Sequence, residues 1–318
     1  MSNGHFGKTD VTELIGNTPL VHLRTLSGLT KANIYGKCEF MNPGGSIKER
    51  TALGIVRDAE RSGKIKPGGT LVEATTGNTG IGVAMVANAR GYKSIIVMPD
   101  TMSREKIDFV RSYGAEIRLT EKAPWGSPKH YYQVAKDIAE SLPNALLIDQ
   151  FNNPANNRSH YSTTGPEIWR QTEGKIDVFV STMGTAGTLC GVGKFLKEKN
   201  PNVKVVCPDH FGSAYYSYFH TGKIEIVGTS VLESFGISSI PGCYDGSVLD
   251  DVLRIDDRRA VSVMVHLINR EGLYVGGSSG MAVAGALEYA RKIDRPANIV
   301  CILADSMNRY VTRFLDEG

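Results

Sequence analysis

Residues 69–99 read GTLVEATTGNTGIGVAMVANARGYKSIIVMP. Two β-branched apolar runs, GTLVEAT and SIIVMP, flank the stretch TGIGVAMVANARGY, whose apolar residues recur at helical spacing, so the segment predicts strand, helix, strand. A helix of this length between two strands sets them parallel in one sheet. The alternation extends outward. TALGIVRDAERSGKI (51–65) precedes it as a helix, and REKIDFVRSYG, EIRLT, HYYQVAKDIAESL and ALLID follow as helix, strand, helix and strand. After a turn-rich QFNNPANNRS (150–159) come GPEIWRQT, DVFVST, GTLCGVGKFLKEK and VKVVC. An irregular stretch rich in Gly, Ser and Tyr (210–247) interrupts the rhythm, as site-forming loops do. It returns with AVSVMVHLINREG, a strand LYVGG, MAVAGALEYARK, NIVCILAD and a last helix from Arg309. The reading is an α/β protein with a parallel sheet covered by helices on both faces.

At 318 residues the chain favours two domains or one large α/β domain. Its net charge of +3 comes from 36 basic and 33 acidic residues, interleaved without a basic block, which argues against nucleic acid as a partner. Cysteines 38, 190, 207, 243 and 301 are odd in number and lack a Cys-x-x-Cys pair, as expected of buried thiols in a reducing compartment. MSNGHFGKTDV lacks the pattern of a leader, and no run approaches the ~20 apolar residues that span a bilayer. The expectation is a cytoplasmic protein with no membrane partner. Histidines 5, 22, 130, 160, 210 and 220 show no metal-ligand spacing and read as structural or surface residues; no metal is expected.

In open parallel sheets ligands sit beyond the carboxyl ends of strands, where small-residue loops enter helices. Three such loops stand out. EATTGNTGIG places Thr75, Thr76, Gly77 and Asn78 at a helix start, where backbone N–H groups can hold a carboxylate; the same residues also read as an ordinary N-cap. STMGTAGTLCG offers Gly184, Thr185, Ala186, Gly187 and Thr188 as a phosphate cradle. It is neither a dinucleotide fingerprint nor a Walker loop, which disfavours a dehydrogenase. YVGGSSGMAVAGAL contains Gly-x-Ser-x-Gly around Ser278, the pattern of an α/β-hydrolase nucleophile elbow. That reading needs a histidine after the serine, whereas the last histidine is His266. A fourth stretch, MNPGGSIKER, holds Lys48 beside Pro43, Gly44 and Gly45. An isolated loop lysine is ordinarily solvated.

Taken in order, GNTPLVHL, MNPGGSIKER, TTGNTGIGVAM, QFNNPANNRSHYSTTGPEI, GTAGT, GGSSG and LADSMNRY resemble the cysteine synthase and cystathionine β-synthase family of pyridoxal-phosphate (PLP) enzymes. The resemblance covers nearly the whole chain, with the tail closer to the cystathionine β-synthase catalytic core. It implies PLP fold type II, as in the tryptophan synthase β-subunit: two domains of mostly parallel twisted sheets, with PLP in the cleft between them. The smaller domain, residues 35–150, carries Lys48 and the Thr-Gly-Asn loop. The larger, residues 1–34 plus 151–318, carries the phosphate loop and Ser278. By resemblance Lys48 forms the Schiff base, for which it must be neutral, as a desolvated lysine can be. Gly184, Thr185, Ala186, Gly187 and Thr188 bind the cofactor phosphate, Asn78 the ring hydroxyl, and Ser278 faces the pyridine nitrogen. Thr75, Thr76, Gly77, Asn78 and Gln150 grip the substrate carboxylate, and the loop through Gly236 borders the substrate pocket.

The implied reaction is β-replacement on L-serine, O-acetylserine or O-phosphoserine through an aminoacrylate, with a thiol or sulfide, giving cysteine or cystathionine in a homodimeric enzyme. A β-eliminating cysteine desulfhydrase, a synthase of another β-substituted alanine, and a non-catalytic PLP-binding sensor are the alternatives. Neither a haem-binding extension nor a regulatory domain is expected. Four departures stand out. Thr76 replaces the family serine, Glu49 its aspartate and Ala186 a glycine, an exchange expected to be harmless. In VLESFGISSIP, Ser234 and Phe235 replace Gly-Ile between Glu233 and Gly236. That last change leaves substrate and nucleophile open.

Overall fold

The computed structural model describes residues 7–311, except Ser103 and Trp125 and, for Glu105, all but the backbone. The strands in chain order are β1 (Leu20–His22), β2 (Asn33–Cys38), β3 (Thr70–Ala74), β4 (Lys93–Pro99), β5 (Glu116–Thr120), β6 (Ala145–Leu147), β7 (Val178–Val180), β8 (Lys204–Asp209), β9 (Asp251–Arg254) and β10 (Asn298–Leu303). The helices are α1 (Arg24–Ser27), α2 (Lys48–Arg61), α3 (Asn78–Arg90), α4 (Arg104–Ser112), α5 (Tyr131–Ser141), α6 (Ala155–Ser162), α7 (Thr164–Gln171), α8 (Gly187–Lys199), α9 (Tyr215–Thr221), α10 (Asp257–Glu271) and α11 (Gly277–Ile293).

The chain divides into two compact units. The first comprises residues 7–16 and Asn42–Asn156, the second Asn17–Met41 and residues 157–311. The expected division of 35–150 against 1–34 plus 151–318 differs at both ends. Strand β2 pairs with β10 from Asn33 to Cys38, which ties it to the second unit. The turn Val11–Leu14 packs against α3, which ties residues 7–16 to the first.

In the first unit the sheet order is β5-β4-β3-β6, all parallel. Successive side chains point to opposite faces. Thus Leu71, Ile96 and Met98 join Val56, Ile81 and Val83 of α2 and α3 in one core, while Val72, Ile95 and Val97 join Ala135 of α5 in another. The near-continuous apolar runs of β3 and β4 follow from burial on both faces.

The second unit has the order β1-β2-β10-β7-β8-β9, parallel except for β1 against β2. Val206 lies in the core with α11, whereas the methyls of the adjacent Val205 lie against Gly193 of α8, where an added Cβ would stand 3.1 Å away. Both faces are covered again.

The structure departs from the sequence reading in places. LYVGG makes only an isolated bridge, Val275 with Ser306, because α11 already begins at Gly277. The turn-rich 150–159 segment contains the start of α6, and the irregular stretch contains α9. Near the C-terminus Met307–Arg309 form a 3-10 turn; the helix expected from Arg309 lies, beyond residue 311, outside the described residues, as does His5.

Candidate active site

In the first unit Lys48 opens α2 behind a loop built around one carboxylate. The Ser46 backbone N–H donates to Glu49 Oε2 (2.9 Å) and its hydroxyl to Glu49 Oε1 (3.0 Å), while the Lys48 N–H donates to Ser46 Oγ (3.2 Å). These bonds among Ser46, Lys48 and Glu49 fix the turn from which Lys48 projects, just ahead of a helix whose N-cap residue is Ile47. Glu49 therefore serves where the family has aspartate. The two glycines acquire distinct reasons. A Cβ on Gly44 would stand 2.6 Å from Glu49 Oε1, and Gly45, at φ +82°, closes a turn by donating to Asn42 O (2.7 Å). Helix α3 passes close by, since a Cβ on Gly82 would meet Lys48 O at 3.0 Å.

The Thr75–Asn78 loop leaves β3 while still paired, with the Thr75 N–H donating to Val97 O (3.1 Å) and the Gly77 N–H to Thr75 Oγ1 (3.2 Å). Thr75 is buried, Thr76 exposed, and Gly77 and Asn78 half-buried. Next on α3, Thr79 Oγ1 donates to the Gln150 carbonyl (2.6 Å), and Gln150 Nε2 donates to Glu73 Oε1 (2.8 Å). The structure thus joins Gln150 to the Thr-Gly-Asn loop through Thr79. Glu73, absent from the sequence reading, is 1% exposed. Burial pushes its carboxyl up to about 8; the hydrogen bond from Gln150 opposes this and the charge of Asp149 adds to it.

In the second unit Gly184, Thr185 and Ala186 connect β7 to α8, whose first residues are Gly187 and Thr188. Ala186 has φ +67°, a left-handed conformation that costs a residue with a Cβ about 1–2 kcal/mol. Its replacement of glycine is therefore not free, contrary to expectation. The loop's backbone donors at the start of a 13-residue helix, with two threonine hydroxyls and no acidic side chain among residues 184–188, fit a phosphate.

His160, expected to be a default structural residue, supports this loop. It is 0% exposed, with Nε2 3.2 Å from Thr188 Oγ1 and Nδ1 3.0 Å from Thr164 Oγ1. Its place in HYSTTGPEI was the only sequence signal.

The 232–236 segment lies against the same loop. The Gly236 N–H donates to Met183 O (2.7 Å), a Cβ on Gly184 would lie 3.1 Å from Ser234 O, and a Cβ on Gly277 would lie 2.7 Å from Leu232 Cδ2. The structure thereby sets Gly184 and Gly236 close together and brings Gly277, the residue before the buried Ser278 of α11, against Leu232 of the same segment. Ser234, at φ +75°, holds its hydroxyl 3.0 Å from Tyr310 OH. Since Tyr310 donates to the buried Asp305 Oδ2 (2.7 Å), it accepts from Ser234.

The first unit presents a lysine at the start of a helix, and the second, separately, a phosphate-type cradle; the class of enzyme to which the chain belongs is read from its relatives. The comparisons name the class: the chain matches "Pyridoxal-phosphate dependent enzyme" over residues 11–305 and belongs to that family. It is 45% identical over 313 residues to cysteine synthase 1 of Emericella nidulans, covering 97% of this chain and 85% of that one. It is 43% identical over 320 residues to cystathionine beta-synthase of Apis mellifera, covering 99% of this chain but 63% of that longer one. A crystal structure of O-ureido-L-serine synthase superposes with a TM-score of 0.89 at 35% identity, covering 98% of each chain. The α/β, fold type II reading and PLP dependence stand on these matches, and the hydrolase reading of Ser278 is set aside.

Proposed function

We propose that the protein catalyses PLP-dependent β-replacement on L-serine or an O-activated serine, O-acetylserine or O-phosphoserine, with a sulfur nucleophile, giving cysteine or cystathionine. The observation that carries this is the relation to a cysteine synthase over 97% of this chain and 85% of that one, together with the hydrogen-bonded turn that presents Lys48.

When bound, the cofactor withdraws electrons from the substrate's α-carbon and so makes its proton acidic and its β-substituent a leaving group. Lys48 Nζ would hold the cofactor, and the same amine would take that proton. The N–H groups of residues 184–188 and the Thr185 and Thr188 hydroxyls hold the phosphate. Asn78 would meet the ring hydroxyl and Ser278 the ring nitrogen. Thr75, Thr76, Gly77, Asn78 and Gln150 receive the substrate carboxylate, with Gly236 in the bordering loop. Fixing the amino acid at its carboxylate leaves the β-substituent as the end that must be free to depart.

The same proposal includes a homodimeric, cytoplasmic enzyme without nucleic-acid or membrane partners. Five buried free cysteines fit a reducing compartment, and among the described residues no helix is long and apolar enough to cross a membrane. The test is the visible absorption of the purified protein, alone and with L-serine, O-acetylserine, O-phosphoserine or cysteine. A cofactor band that shifts with one donor and vanishes in Lys48→Ala is expected; a Lys48→Ala variant with undiminished turnover refutes the reading.

A further inference from the structure

Tyr215 is a large polar side chain shut off from solvent. It is 0% exposed, at the first residue of α9, and its hydroxyl donates to Gly184 O at 2.9 Å. A carbonyl oxygen only accepts, so the partner settles the direction of this bond. Burial holds the phenol well above its usual range, which keeps the proton on the oxygen. Phenylalanine would fill the same space without desolvating a hydroxyl. What the hydroxyl adds is a tether on the loop that leads from β7 into α8.

The tether has a firm base. The Ala214 N–H donates to Ile237 O (2.9 Å) and the Ile237 N–H to Ser213 Oγ (3.1 Å), which binds the start of α9 to the 235–237 segment, and the Tyr244 ring stacks on Tyr215 at 5.8 Å. The loop is held at two successive carbonyls, Met183 O by the Gly236 N–H and Gly184 O by Tyr215. In a planar peptide the N–H points opposite to the C=O, so these bonds turn the N–H groups of Gly184 and Thr185 away from the tethering groups. Ala186 follows at φ +67°. A left-handed residue after one of ordinary hand brings successive N–H groups toward one point, the geometry that receives an anion.

We propose that Tyr215 is a positioning residue that fixes the Gly184–Thr185 peptide so that the loop's N–H groups face the cofactor phosphate. The inference rests on the proposed function, which assigns that phosphate to residues 184–188. Tyr215 acts through the peptide, without touching cofactor or substrate.

The experiment strips the full chain of its cofactor and titrates it with PLP and with pyridoxal, which lacks only the phosphate, while the cofactor band is followed. Tyr215→Phe removes the single oxygen. Releasing the peptide is expected to weaken PLP about fivefold or more and pyridoxal less than about twofold, so the preference for the phosphorylated form falls. A tyrosine with a purely structural role would instead lower the Tm of the cofactor-free protein and leave that preference unchanged, and this result overturns the inference. Tyr215→4-aminophenylalanine, which returns an N–H donor to the same place, should keep the preference within about twofold of the unaltered protein, and it remains informative should Tyr215→Phe not fold. A preference lost despite that donor overturns the inference. Failure of the underlying reading looks different. Ala186→Asp puts a carboxylate into the loop at a left-handed position that aspartate tolerates, and the preference for PLP should then disappear. A preference that survives Ala186→Asp means that the phosphate binds elsewhere, which overturns the reading and the inference with it.

Discussion

Replacing Gly82 by alanine adds one methyl group where α3 passes the first turn of α2. The new Cβ would meet Lys48 O at 3.0 Å, with Glu49 N and Lys48 C each at 3.1 Å. All three are backbone atoms of the turn that presents Lys48, so no side chain can rotate away. Relief has to come from a shift of helix against helix. Overpacking of this kind costs about 1–3 kcal/mol, while alanine regains about 1 kcal/mol of helix propensity over glycine. The net loss is about 0–2 kcal/mol, a fall in Tm of at most about 8 °C for a chain of this size. Activity should suffer more than stability. Displacing a reacting lysine by a few tenths of an ångström is expected to lower kcat about tenfold. A thermal scan and steady-state kinetics measure both, with Gly28→Ala as control, since its nearest neighbours are ordinary contacts at 3.6 Å. A raised Tm with unchanged kcat would show that the helices have room at Gly82, and the claim that α3 fixes the Lys48 turn would fall.

Two further outcomes concern buried charge. Lys37, 0% exposed, donates to Glu167 Oε2 (2.6 Å) as well as to Thr18 O (2.7 Å). Glu167→Gln strands the ammonium and should cost about 3–5 kcal/mol, read as a lower urea midpoint, whereas an unchanged midpoint would mean the pair is not desolvated. Glu73, held at about 8 against an ordinary 4.5, keeps its proton in the native state after the unfolded chain has lost it. Its stabilisation is thus complete below pH 4.5 and is lost as pH rises toward about 8. Asp149, Tyr131 and Tyr132 face this carboxyl, and burial raises both tyrosines, which stay neutral throughout. Relative to the unaltered protein, Glu73→Gln should gain several degrees of Tm between pH 5 and pH 8; parallel curves would show that Glu73 is ionised in the native state.

Strands β3 and β4 were legible because burial on both faces leaves near-continuous apolar runs, and helix α3 because its termini carry Thr-Gly-Asn and Gly91. The short β1 and β2 were not, since Leu20–His22 is only three residues and its pairing with β2 depends on neither local period nor turn chemistry. Helix α6, ANNRSHYS, lacks an apolar stripe. Its polar side chains instead bind elsewhere: Asn156 Nδ2 donates to Gln150 O (2.8 Å), and His160 meets Thr188. Tertiary hydrogen bonds of this kind leave no periodic trace. Glu73 was hidden for the opposite reason. One glutamate in TLVEA reads as a solvent-facing alternation until the fold shows that neither face of the strand meets water. The candidate residues themselves were legible as small-residue loops at strand ends, but their supports, Glu49, Glu73 and His160, became visible only as contacts.

The Ser234 exchange decides whether a departure from the family serves stability or substrate choice. A serine at φ +75° carries about 1–2 kcal/mol of backbone strain, which glycine would relieve. Glycine would in turn cost about 0.5–1 kcal/mol in chain entropy. It would also forfeit the hydrogen bond to Tyr310, worth about 0.5–1.5 kcal/mol. These nearly cancel, so Ser234→Gly should leave Tm within about 3 °C of the unaltered protein. A serine retained at no gain in stability, on a segment that touches the phosphate-type loop at Gly184, is strain kept where chemistry is expected. The effect should then appear in discrimination. The ratio of kcat/KM between L-serine and O-acetylserine is expected to change by about fivefold or more in Ser234→Gly, a shift of about 1 kcal/mol in relative transition-state binding. If Tm moves by many degrees while that ratio holds, the Ser234–Tyr310–Asp305 chain is a structural brace, and substrate choice is made by other residues.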